Sequence, residues 1–257
     1  MEQDHLLRRN EPLSRPQTQA GLLLLAHGER LDGQSNDDVT RLVADIASRN
    51  LAAETRVGFI AGTPQIPQAL QTLTADRILA YPLFMADGHF LRIAVSSLRT
   101  AAEAGRPGRV ITVLPPLGAE PALANLIAAK AEAAACGQGL APAQTALILV
   151  AHGSKRGNAS RRATEMVMDR LRALTPFVAV TGAYLDEPPT LGEVLESHPG
   201  PAVVVGMFVG HGLHARIDLP RLLASLPGRT IAFAGHVGGW RGISDVVADG
   251  LQRALQA

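Results

Sequence analysis

The chain has a single cysteine, Cys136, so no intramolecular disulfide can form and no cysteine-built zinc site is available. Aromatic residues make up only 4%, which leaves Ala, Leu and Val to fill the interior. Neither sign of charge dominates. The formal net charge is +1 over 257 residues, and Lys and Arg form no block with interleaved aromatics. That balance argues against nucleic acid as a partner. No apolar run approaches the roughly 18–20 residues that a membrane span needs, which argues against a membrane partner. Residues 1–20 carry Arg8, Arg9, Pro12 and Pro16 but lack the apolar stretch of ~7–15 residues that a secretory signal requires. They read as a disordered leader on a cytoplasmic protein. What is plentiful is core material: 47% hydrophobic against 18% charged supports a folded interior.

The core material is arranged twice. Leu22-Leu23-Leu24-Leu25-Ala26-His27-Gly28 recurs as Leu147-Ile148-Leu149-Val150-Ala151-His152-Gly153, an offset of 125 residues. Phe84, Gly88 and Arg92 recur as Phe208, Gly212 and Arg216 at 124, and Pro64 lines up with Pro188 at the same 124. A period this long exceeds that of a solenoid repeat and marks a duplicated domain. Within each copy, near-continuous apolar runs alternate with stretches of helical periodicity. In the first copy the runs fall at 21–26, 56–60, 77–84 and 109–114, and the helical stretches at 36–48, 64–73, 90–104 and 121–135. Such alternation predicts parallel sheets covered on both faces. The expected fold is α/β: two tandem doubly wound parallel-sheet units, 21–136 and 145–257, joined by a linker at 137–144.

Open parallel sheets bind ligands at the carboxyl ends of their strands. His27 and His152 end the first strand of each copy. His89 lies just past the third strand of the first copy, and His211 and His214 just past that of the second. Asp186 and Glu187 end the second strand of the second copy. Imidazole with carboxylate suits Fe, Co, Ni or Zn divalent ions, and neutral imidazole also accepts protons near physiological pH. Trp240 and Phe90 are candidates to stack on a planar ring or to pack in the core. Pro115-Pro116-Leu117-Gly118 reads as a turn that closes the cleft.

The stretches LLLLAHGER, PLFMADGHFLR and VLPPLGAEPALANLI, with their second-copy counterparts, resemble the CbiX/SirB family of sirohydrochlorin chelatases, class II tetrapyrrole chelatases, in a two-repeat form. The resemblance runs from Gly21 to the C-terminus. It implies insertion of Fe2+ or Co2+ into sirohydrochlorin or a related tetrapyrrole, in siroheme or cobalamin biosynthesis, with the metal as substrate and no permanently bound cofactor. It implies metal-handling and catalytic roles for His152, His214, His27 and His89, with Asp186 or Glu187 as the acid. Arg92, Arg216 and His211 would bind the ring. Phe90 stands where the family's third-strand histidine belongs, one place after His89, and the first copy has no acid before Pro64. The second copy is therefore expected to hold the fuller site. A homodimer is one expected assembly. Two rival readings stand beside this one. A non-catalytic tetrapyrrole or metal carrier would keep the fold and lose turnover. A histidine phosphatase would need an arginine beside its histidine, where the sequence has Ala26 and Ala151.

Overall fold

The computed structural model describes residues 18–28, 36–154, 157–210, 219–224 and 228–256. The first half runs β1 (Gly21–Ala26), α1 (Asp37–Ser48), β2 (Glu54–Phe59), α2 (Ile66–Gln71), β3 (Arg77–Pro82), α3 (His89–Glu103), β4 (Val110–Val113) and α4 (Pro121–Gly137). The second runs β5 (Ala146–Ala151), α5 (Ala159–Leu174), β6 (Ala179–Tyr184), α6 (Leu191–Ser197), β7 (Ala202–Gly206), α7 (Leu219–Ala224), β8 (Ile231–His236) and α8 (Ile243–Gln256). Each half builds a four-stranded parallel sheet, ordered β2-β1-β3-β4 and β6-β5-β7-β8. No helix among the described residues is long and apolar enough to cross a membrane.

The central strands β1 and β5 are buried along their whole length, as their unbroken apolar runs require. Alternation divides their side chains between two faces. Leu23 and Leu25 pack outward under α2 and α3, while Leu22 and Leu24 face inward. Each such leucine contributes about 1.5–3 kcal/mol by burial. Ile148 and Val150 pack outward in the second half, and Leu147 and Leu149 inward. One further detail repeats: Arg109 donates to the carbonyls of Leu70 and Leu73 at the end of α2, and Arg229 to those of Leu195 and His198 at the end of α6. A cation there suits the negative end of a helix.

The inward faces of both sheets belong to one continuous core. It takes Val39, Leu42 and Ile46 from α1, Leu123, Ile127 and Ala131 from α4, Val167 and Leu171 from α5, and Val246, Val247 and Leu251 from α8. Helix α4 packs on β7 and β8 of the second sheet, and α8 packs against α1 and α4 of the first half. The last helix of each half thus leaves its own sheet for the other half's side. Polar contacts mark the exchange, buried at Tyr81 and Glu120 and exposed at Asp245. Tyr81 of β3 donates to Glu120 at 3.0 Å, Arg253 of α8 pairs with the other oxygen of Glu120, and Arg49 of α1 bonds Asp245 of α8 at 2.6 Å. Burial pushes the Glu120 carboxyl above its ordinary pKa, against the pull of Tyr81 and Arg253. The segment 137–144, of linker composition, is also packed: Leu140 lies against the common core and Pro142–Gln144 forms a 3-10 turn.

The pairing register corrects one alignment. Phe59 N donates to Pro64 O, and Tyr184 N to Pro189 O. Pro64 therefore corresponds to Pro189 at offset 125. The match of Pro64 to Pro188 is wrong by one place, because two adjacent prolines disguise a one-residue deletion that falls later, before β7. In β3 and β7 the offset is 124, and by β4 and β8 it has fallen to 120.

Candidate metal and tetrapyrrole site

The carboxyl ends of β1 and β5 present His27 and His152, both exposed at the tips of fully buried strands. His27 Nδ1 lies 2.8 Å from Gly28 O, a hydrogen bond within its own loop. The ring of His152 stands edge-on to Phe208 with centroids 5.0 Å apart. Each histidine is followed by a glycine for a steric reason. Gly28 and Gly153 have φ of +78° and +72°, and a Cβ would lie 2.0 Å from Ala61 O at the first and 2.7 Å from Glu187 Cγ at the second. Any side chain here would drive the histidine loop off the neighbouring strand end.

The second-strand ends lie beside these histidines. Asp186 N donates to His152 O at 2.9 Å, and Ala61 N donates to His27 O at 2.7 Å. Asp186 thus corresponds to Ala61, and Glu187 to Gly62, so the first half has no carboxylate in either place. The two acids of the second half have different surroundings. Asp186 is exposed. Glu187 is engaged: Oε1 accepts from Ser154 N at 3.1 Å and Oε2 from Arg161 at 3.0 Å. Arg161 also donates to Pro188 O and lies over the Tyr184 ring, 4.4 Å from its centroid. Its bond to Glu187 raises the guanidinium pKa further. Ser160 Oγ accepts from Gly153 N at 3.2 Å, so α5 and Glu187 together grip the backbone on the C-terminal side of His152. Sequence reasoning missed Arg161 and Tyr184. The available signal was an arginine in the first turn of α5, which has no counterpart motif in the first half.

Past β3 the chain stays buried through Leu83 and Phe84, then opens α3 with Gly88 as N-cap and His89 as its first residue. Phe90 follows, 49% exposed, edge-on to His27 with centroids 4.5 Å apart and 5.5 Å from His89. The structure thus gathers His27, His89 and Phe90. Arg92 is exposed in the same helical turn. A Cβ on Gly88 would lie 3.8 Å from Ala159 Cβ, so the start of α3 faces the start of α5 across the two halves. His211, His214, Arg216 and Asp218 lie outside the described residues. Among the described residues no group of three or more His, Cys, Asp or Glu is set to hold a metal ion. Trp240 is buried and donates to Ala234 O at 2.9 Å, so it packs in the core.

The turn at Pro115–Gly118 closes against the loop after β3. Gly118 N donates to Phe84 O at 3.1 Å, and a Cβ there would meet Met85 O at 1.8 Å. Gly238 repeats this against Phe208 O and Val209 O. Little but the glycine survives of the motif in the second copy, which hides it from sequence comparison.

Comparison with known proteins agrees with this frame. A probable sirohydrochlorin cobaltochelatase of Halobacterium salinarum is 24% identical, over 92% of this chain and 91% of its own length. The structure of CbiX described as the terminal enzyme for siroheme biosynthesis in denitrifying bacteria superposes with a TM-score of 0.70 at 29% identity, covering 91% of this chain and 99% of that one. A multi-domain Deinococcus radiodurans protein with structural similarity to chelatases gives a TM-score of 0.72 at 24% identity; this chain spans 55% of its length. The family model CbiX matches twice, over residues 21–134 and 146–254, and the chain belongs to the CbiX family.

Proposed function

We propose that this protein inserts a divalent metal ion, Fe2+ or Co2+, into sirohydrochlorin or a closely related tetrapyrrole. The observation that carries the reading is the pairing of His152 with Asp186 at adjacent strand ends, opposite a first half that offers His27 and His89. Metalation requires two pyrrole N–H protons to leave while the ion passes to the ring nitrogens. Imidazole and carboxylate serve both needs, because they accept protons and hold a divalent ion with positions left open. In this reading Asp186 and His152, with His214, hold the ion and take the protons, and Glu187 sets the loop that carries His152. The ring lies between the halves. Its carboxylates meet Arg92, Arg216, His211 and the starts of α3 and α5, helices without side-chain caps whose N–H groups favour anions. The expected setting is the cytoplasm, with the metal arriving as a substrate.

The test is an insertion assay on the purified full chain with sirohydrochlorin and either Co2+ or Fe2+. The expected result is a rate well above the spontaneous one, lost in His152→Ala and in Asp186→Asn, with a smaller loss in His27→Ala. A protein that binds the ring without raising the rate is a carrier, and the enzymatic reading is then wrong.

A further inference from the structure

We infer that Phe90 is the surface on which the tetrapyrrole face rests, so that the first half grips the ring while the second half handles the ion. The inference rests on the chelatase reading above and assigns a specificity-determining residue to it. The chain has nine aromatic residues, six Phe, two Tyr and one Trp. Seven of them are buried: Phe59, Phe84, Phe177, Phe208, Tyr81, Tyr184 and Trp240. Only Phe90 and Phe233 are exposed, and Phe233 lies within β8. Of these two, Phe90 stands at a strand-end histidine, edge-on to His27 and beside His89; Phe208, the aromatic at His152, is buried.

Its position sharpens the point. At the 124-residue offset of the third strands, Phe90 occupies the place of His214. A phenyl ring can neither bind a divalent ion nor accept a proton, and the neighbouring acid positions are Ala61 and Gly62. The first half has therefore lost two groups that metal transfer uses. It has gained an apolar face of the kind that stacks on a planar conjugated ring. The start of α3 approaches the start of α5 here, so Phe90 lies in the helical turn that borders the second half.

Two measurements on the full-length protein test this. In an absorbance titration with metal-free sirohydrochlorin, Phe90→Ala is expected to weaken binding roughly tenfold, whereas Phe90→Tyr stays within about twofold. In steady state, Phe90→Ala raises KM for the tetrapyrrole by a similar factor and leaves kcat and the KM for Co2+ unchanged. Because Phe90 is half exposed, thermal unfolding should shift little, which separates this loss from misfolding. Unchanged affinity in Phe90→Ala, with wild type binding normally, overturns the inference alone, as does a fall in kcat at constant KM. Absence of ring binding by the wild type overturns the chelatase reading with it.

Discussion

Replacing Glu187 by alanine tests whether its carboxylate positions the site or takes part in the chemistry. Glu187 and Arg161 keep 19% and 29% of their side-chain surface, so water screens the pair only in part. The substitution removes the acceptor of Ser154 N and of Arg161 together. Hydrogen bonds to a charged group contribute about 1.5–3 kcal/mol each, and partial exposure places the total near the low end, at about 2–3 kcal/mol. The freed segment is the backbone just after His152. If about half of that energy serves to hold His152 in place, kcat falls roughly tenfold. Glu187→Gln should recover most of the rate, because the amide oxygen still accepts from Ser154 N. Asp186→Asn should remove nearly all activity, while Glu187→Gln keeps most of it. Insertion kinetics, with thermal unfolding of each variant, read these outcomes. A Glu187→Gln variant as inactive as Asp186→Asn, with its melting temperature unchanged, would refute the assignment and make Glu187 the reacting acid.

Two further predictions concern stability. Arg253→Ala strands the Glu120 carboxylate, which is 6% exposed. Breaking a buried pair costs about 3–5 kcal/mol, reduced here to about 2 because Arg253 is half exposed, so the melting temperature should drop by roughly 4–8 °C at neutral pH. Burial already raises the Glu120 pKa, so the charged form is the strained one. The deficit should shrink as acid protonates Glu120, and adding Glu120→Gln should restore most of the stability; a pH-independent deficit in calorimetry would contradict this. His236 is buried and its pKa is pushed below the ordinary 6.5 by desolvation, against a weaker pull from its bond to Phe208 O. A histidine held neutral in the fold takes up protons more readily when unfolded. Its contribution is therefore complete above pH 6.5 and is lost as pH falls through the depressed native pKa. His236→Gln should flatten that slope in pH-dependent denaturation, and an unchanged slope would remove His236 as its source.

The duplication, the alternation of strands and helices, and the strand-end histidines were all legible in the sequence. Each is a local matter. A strand buried on both faces must be apolar throughout, as Leu22–Leu25 and Ala146–Val150 are, and the first polar residue after such a run falls at its exposed tip. His27 and His152 were found for that reason. The carboxylate register was not legible, because Pro188 and Pro189 are adjacent and either one aligns with Pro64. Only the hydrogen bonds from Phe59 N and Tyr184 N decide between them. The separate surroundings of Asp186 and Glu187 also depend on where α5 sets Arg161, a contact across 26 residues.

The exchange of α4 and α8 between the halves was decided at the same level. Nothing in the apolar pattern of α4 says which sheet it will cover, since both inner sheet faces are alike in sequence. Its alanine-rich surface allows close packing on either one. What the sequence by itself determined was two equal frames with unequal chemistry, because strand tips and missing acids are written residue by residue. What only the tertiary structure decided was that the frames share one core and bring the starts of α3 and α5 together, because that depends on surfaces that meet across long stretches of chain.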